Sequence, residues 1–154
     1  MQFYFTATIY KVGINPCVDV PLRITAKMTA TKGYIPVKGK IKTHSFTQTL
    51  VPVKNAPYRL YVNGLMLKGA NAKLGDTLKF TIEQDLNPQT AEQIPMPNEL
   101  RKQIDEKKLM PAFKALTPYR QKEILRYLNY LKTEEALLRN IDKVIEQLRK
   151  SYKL

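Results

Sequence analysis

Few residues in this 154-residue chain have side chains suited to covalent or acid–base chemistry. Cys17 is its one cysteine and His44 its one histidine. A Cys–His dyad would require the fold to bring two separated positions together. Cys17 lies in the apolar strand context Cys17-Val18-Asp19-Val20, where a buried, inert thiol is the ordinary outcome. Two ligands cannot build a zinc site from histidine and cysteine. Asp76 follows Gly75 at a strand start and Asp85 follows an apolar strand, so both fit turn formation better than acid catalysis. Glu134 and Glu135 are adjacent on a helix, point in different directions and cannot act as a facing pair. Asn63-Gly64 and Lys68-Gly69 are isolated, with no glycine-rich phosphate loop or dinucleotide fingerprint around them. The expectation is a chain without catalytic residues, metal ligands or a cofactor.

Its cations are more plentiful. Lys38, Lys40 and Lys42 alternate with Val37, Gly39 and Ile41. On a strand, residues two apart share a face at a spacing of about 6.6–6.8 Å, so the three ammonium groups form a one-sided stripe. Such a stripe can lie along a phosphate backbone. It can also keep a strand solvated and guard it against edge pairing, which is the simpler account. Across the chain, 26 Lys and Arg against 13 Asp and Glu give a net charge of +13. Residues 1–50 carry seven basic and one acidic residue, residues 51–100 five of each, and residues 101–154 fourteen basic and seven acidic. This excess favours nucleic acid or another acidic partner, and it equally serves solubility. In the last third, Arg120, Lys122, Arg126 and Lys132, then Arg139, Lys143, Arg149 and Lys150, are interspersed with Glu123, Asp142 and Glu146, the pattern of a salt-bridged helical surface. Nine tyrosines are able to stack on bases, but most fall at core-facing periods, where packing accounts for them.

The elements that must position these groups change character along the chain. Phe3, Phe5, Ala7 and Ile9 alternate with Gln2, Tyr4, Thr6 and Thr8, the period-2 signature of a half-buried strand continuing toward Gly13. Cys17–Val20, Pro36–Thr43, Ser45–Val53, Tyr58–Val62 and Thr77–Glu83 read as further strands, with a last short one at Thr90–Ile94. A hairpin turn falls near Thr43 and His44, and helical turns fall at Leu22–Met28 and Leu65–Leu67. Gly39 has no side chain to pack and marks a bend or bulge. After Pro95-Met96-Pro97 the periodicity becomes helical. Asn98 is the expected cap of a helix to Lys108; a short piece starts at Met110-Pro111, Thr117-Pro118 opens a helix to about Lys132, and Thr133 caps the last. That last helix carries Leu137, Ile141, Val144, Ile145, Leu148 and Tyr152 on one stripe. Short strands with frequent turns predict an α+β protein: a small closed β-barrel of about six strands over 1–95, then a helical segment over 96–154.

Hydrophobic residues at 44% and charged residues at 25% exclude a disordered or collagen-like chain. No apolar run is long enough for a membrane span. The chain opens directly into the strand pattern without an apolar leader, and its cysteine usage fits a reducing compartment, so a cytoplasmic location is expected.

The order of short motifs adds a resemblance. Phe5-Thr6-Ala7, Val20-Pro21, Pro36-Val37-Lys38-Gly39, Gly75-Asp76 and Asp85 come first. Pro97-Asn98-Glu99-Leu100, Phe113-Lys114-Ala115-Leu116-Thr117-Pro118 and Lys132-Thr133-Glu134-Glu135 follow. Together they resemble bacterial proteins of the YdeI/OmpD-associated, bacteriocin-protection-like family, whose N-terminal part is a domain of unknown function. The resemblance implies a barrel of about six strands. In the tail, Lys132, Glu135 and Arg139 match the family pattern, whereas Tyr119 stands where serine is common and Ala136-Leu137 where threonine-arginine is common. Three functions follow as expectations. The first is a non-enzymatic binding or stress-protection protein. The second is nucleic-acid binding through Lys38, Lys40, Lys42 and the basic tail. The third is small-molecule binding or an enzymatic role at the barrel mouth.

Overall fold

A computed structural model describes the backbone of residues 1–152 and the side chains of residues 1–150. The chain divides into two compact units, Met1–Pro88 and the remainder from Gln89.

The first unit is a seven-stranded antiparallel sheet. Its strands are β1 (Phe3–Thr8), β2 (Tyr10–Val12), β3 (Asn15–Asp19), β4 (Ile35–Ile41), β5 (His44–Val53), β6 (Ala56–Tyr61) and β7 (Thr77–Gln84). They lie in the order β1-β7-β4-β5-β6-β3-β2. Two short helices, α1 (Leu22–Thr25) and α2 (Gly64–Ala70), interrupt them. The alternation sorts side chains as expected. Phe5, Ile9, Val37, Ile41, Phe46, Leu50, Phe80 and Ile82 are buried together with Val18, Val20, Leu60 and Val62 from the other end of the sheet. Phe5 and Phe80, opposite each other across β1 and β7, stack with ring centroids 5.2 Å apart. Ile24 of α1 and Met66 and Ala70 of α2 complete this core, so the inside of the curl is filled.

The expected closed barrel is corrected to an open, curled sheet. β1 and β2 stand at opposite ends of the strand order with no ladder between them. Only Ile9 separates them in sequence. Its N–H donates to Asp76 O at 2.9 Å and its carbonyl accepts from Gly75 N at 2.8 Å. The chain therefore stays paired with the β7 side through Ile9, then swings to β3 for the three residues of β2, too few to complete a closing ladder.

The second unit is helical. The strand expected at Thr90–Ile94 is instead a 3-10 turn over Ala91–Gln93, because the Thr90 N–H donates to Gln93 Oε1 at 2.8 Å and Gln93 N–H returns to Thr90 O at 3.1 Å. The four helices are α3 (Asn98–Glu106), α4 (Met110–Ala115), α5 (Pro118–Tyr130) and α6 (Glu134–Tyr152). Asn98 is the first helical residue rather than the cap: Pro97, at φ −54° and ψ 138°, holds the cap position without a side-chain bond. Thr117 and Thr133 cap as expected, accepting from Arg120 N and Ala136 N, each at 3.1 Å. Leu100, Ile104, Phe113, Leu125, Leu128, Ile141, Ile145 and Leu148 form the core of this unit. Tyr152, the last member of the expected α6 stripe, has its side chain outside the described residues. Against the expectation that packing accounts for most tyrosines, none of the described ones is fully buried; Tyr127 and Tyr130 of α5 are 41% and 40% exposed, at the edge of its buried stripe of Ile124, Leu125 and Leu128.

The curl of the sheet depends on Gly39. A Cβ there would lie 1.8 Å from Thr81 O and 2.9 Å from Ile82 Cα of β7, distances that no real side chain tolerates. Gly39→Ala should therefore force β4 off β7. The expected loss is about 3 kcal/mol, the upper range for an overpacked core, read as a lowered denaturant midpoint in chemical unfolding. An unchanged midpoint would show that the two strands part without cost.

Candidate nucleic-acid interface

The side of the sheet opposite the core is built row by row from the register. Tyr4 of β1 pairs with Thr81 of β7, Thr81 with Lys40 of β4, and Lys40 with Ser45 of β5. The row on one side joins Glu83, Lys38 and Thr47; the row on the other joins Thr6 and Lys79. Tyr4, Thr6, Lys38, Lys40, Ser45, Thr47 and Lys79 are all exposed. Directly paired residues share a face, so four strands present hydroxyls, three lysines and one exposed ring together, with Glu83 as the single acid among these rows.

Of the three lysines singled out by their spacing, Lys38 and Lys40 lie on this face. Lys42 does not continue the stripe. It occupies the tight connection between the paired Ile41 and His44, with φ +56°, and its Nζ donates to Ala70 O at the end of α2 at 3.1 Å. The turn breaks the alternation. In its place the structure supplies Lys79, whose Nζ lies 5.4 Å from the centroid of the Tyr4 ring, a cation–π arrangement. Arg23 of α1 adds a further cation at this edge by donating from Nη2 to Tyr4 O at 3.0 Å. Lys79 and Tyr4 were legible as outward members of their alternating segments, but their adjacency needed the β1–β7 register.

Among the described residues no carboxylate lies within ion-pair distance of Lys38 or Lys40, although Glu83 is the cross-strand partner of Lys38. In the helical unit three cations are in ion pairs. Arg120 pairs with Glu123 at 2.7 Å, Arg139 with Glu135 at 3.8 Å and Lys114 with Glu92 at 3.7 Å. The tail positions Glu135 and Arg139 thus face each other one helical turn apart, while Lys132 is exposed between α5 and α6. A groove between α5 and α6, floored by Leu116, Ile124, Val144 and Leu148, has its arginine, Arg120, engaged by Glu123 and Gln147.

The candidate nucleophile and its hypothetical base fall in separate environments. Cys17 is fully buried between Tyr10 and Tyr61, its partners on the neighbouring strands, and burial pushes its thiol above the ordinary range, which opposes thiolate formation. The His44 ring lies over Gly69 of α2, so close that a Cβ there would meet it at 2.2 Å; the histidine packs the helix onto the sheet. Asp76 accepts from Lys73 N at 3.0 Å, a bond that holds its carboxyl below the usual range, and Asp85 accepts from Asn87 N at 3.1 Å. Both carboxylates therefore form loops, as their positions implied. Among the described residues no group of three His, Cys, Asp or Glu side chains is placed to hold a metal ion. No helix among them is long and apolar enough to cross a membrane.

A polar cluster that the sequence did not reveal surrounds Cys17. Tyr10 Oη donates to Asp19 Oδ1, and Arg59 Nη1 donates to Tyr61 Oη at 3.2 Å. Asp19 and Arg59 are cross-strand neighbours, yet the carboxylate is taken by the phenol. That bond, with burial as the smaller cause, raises the Tyr10 pKa to about 12. Because the folded value lies above the unfolded one of about 10, the neutral phenol favours the fold below that pH, and the contribution disappears as pH rises through about 12. A phenolate absorbance titration should show a late-ionising tyrosine, lost in Tyr10→Phe and moved earlier in Asp19→Asn. A late step that survives Tyr10→Phe would refute the assignment.

Comparison with known proteins bears out the resemblance read from the motif order. Residues 93–151 match the family described as Bacteriocin-protection, YdeI or OmpD-Associated. No curated protein matches the chain. Through the longer match, which covers residues 5–82 and so more than half of its length, the chain belongs to the family described as Domain of unknown function (DUF1905).

Proposed function

We propose that this chain is a non-enzymatic, cytoplasmic binding protein that engages nucleic acid through the outer face of β1, β7, β4 and β5. The observation that carries the reading is the presence of Lys38, Lys40 and Lys79 on one exposed face, with no carboxylate in ion-pair contact with Lys38 or Lys40 among the described residues. A polyanion carries a layer of condensed counterions, and ammonium groups free of a carboxylate partner displace them when they meet its phosphates; that release drives such binding. The inside of the curled sheet is filled by Phe5, Phe80, Leu50, Met66 and their neighbours, which favours an outer surface over a ligand at its mouth. Protection is the role named for the family matched by residues 93–151, and binding without catalysis accommodates it. The helical unit, whose cations are partly neutralised by Glu92, Glu123 and Glu135, adds to the net charge rather than supplying the contact face.

The test is the salt dependence of binding to a labelled mixed-sequence oligonucleotide. Lys38→Gln combined with Lys40→Gln should reduce the slope of log K against log salt by roughly 1.4–1.8, the contribution of two phosphate contacts. Lys42→Gln should leave that slope unchanged, since Lys42 lies in the β4–β5 turn, outside the rows of this face, and its ammonium is directed to Ala70 O. Binding with a slope indifferent to Lys38 and Lys40 would overturn the reading.

A further inference from the structure

The same face has a shape that discriminates between forms of nucleic acid. Four hydrogen-bonded strands at 4.7–4.9 Å spacing span about 14 Å between the outer strand axes, before side chains are added. The major groove of B-form DNA is about 12 Å wide and admits a helix or a two-stranded ribbon. A face four strands across cannot enter it, and the lysines at its centre would touch a duplex only along the outside of its backbone.

At the β1 end of this face stands Tyr4, 53% exposed and flanked by cations on two sides. The Lys79 ammonium lies over its ring, and the Arg23 guanidinium is fixed at its backbone carbonyl. Its hydroxyl is tied to Gln2 Oε1 at 3.2 Å, which holds the ring at the edge of the face. An apolar ring left this exposed gains nothing from the core. It does provide a π surface at one end of a row that continues through Thr81 to Lys40 and Ser45. Stacking of a base on an aromatic ring needs the base to be unpaired and unstacked from its neighbours, a condition that only a single strand meets without cost.

We infer that the nucleic acid taken by this face is single-stranded, with one base stacked on Tyr4 and the adjoining backbone crossing Lys40 and Lys38. The inference rests on the nucleic-acid reading proposed above and adds the strandedness and the stacking residue. Lys79, now seated on the ring, moves to a phosphate when the base replaces it. Such a surface is sequence-tolerant, because every base has a π face.

The experiment compares a short labelled oligothymidylate with the same strand annealed to its complement, by fluorescence anisotropy at low salt. The wild-type chain should bind the single strand about tenfold more tightly than the duplex. Tyr4→Ala should weaken single-strand binding about tenfold, within the range for stacking one base, while leaving the salt slope and the duplex affinity in place. Tyr4→Phe should stay within about twofold of wild type. Tyr4→Leu keeps the apolar bulk on the strand but has no π face, and it should behave as Tyr4→Ala; its thermal melt separates lost stacking from lost folding. Equal affinity for the two forms, or binding indifferent to Tyr4 while the lysine pair still sets the salt slope, overturns the single-strand inference and leaves the nucleic-acid reading standing. Indifference to both Tyr4 and the lysine pair overturns both.

Discussion

At Gly39 the backbone of β4 runs so close to its ladder neighbour β7 that Thr81 O lies 1.8 Å from the place where a Cβ would stand. That approach lets the sheet curl tightly enough for Phe5 and Phe80 at one end and Val18 and Leu60 at the other to share one core. Because strand side chains alternate, every residue turned into the core commits its neighbours outward. The pairing that brings Ile82 against Gly39 also sets Thr81 beside Lys40 and Glu83 beside Lys38. The contact face is therefore a consequence of the curl: without the glycine, the core side chains and the outer lysines would both lose their register.

The alternation itself was legible. Period 2 alone turns Phe5, Ile9, Val37 and Ile41 inward, and they are buried. Caps at Thr117 and Thr133 were also readable, because a threonine before a proline or an acidic pair leaves few other conformations. What the pattern could not express was pairing between distant segments. Whether a sheet closes depends on a ladder between its first and last strands, and here those strands adjoin in sequence at Ile9 while lying at opposite ends of the order. Alternation predicts which side a residue faces and says nothing about that. The same limit hid the cluster of Tyr10, Asp19, Arg59 and Tyr61, whose members come from three strands.

Lys42 shows where period 2 fails for a local reason. It continues the spacing of Lys38 and Lys40, but the strand ends one residue before it. A two-residue hairpin connection favours positive φ at its first position, and Lys42 adopts φ +56°. Its ammonium then reaches a backbone carbonyl at the end of α2, where the helix concentrates negative partial charge. The short interval between the two strands, Ile41 to His44, was the available signal. The spacing of the lysines does not carry that signal, and the face takes its third lysine, Lys79, from β7.

The outer sheet face and the ion-paired positions of α5 and α6 treat their cations differently, and the difference bears on what the charge is for. A chain using lysine only for solubility gains most by interleaving the signs, as α5 and α6 do with Arg120–Glu123 and Glu135–Arg139. Lys38 and Lys40 are two residues apart on one strand face, about 6.6–6.8 Å by strand geometry, inside the roughly 8 Å Debye length at physiological ionic strength. Their potentials therefore add rather than being screened from each other, and Glu83, though in register, is not drawn into an ion pair with Lys38 among the described residues. Edge protection does not explain the placement either, because β4 is an interior strand, bonded to β5 on one side and β7 on the other. A repulsive pair on an interior strand contributes nothing to folding. It is compensated when a polyanion lies across it, and that asymmetry separates this face from the salt-bridged surface of the helices.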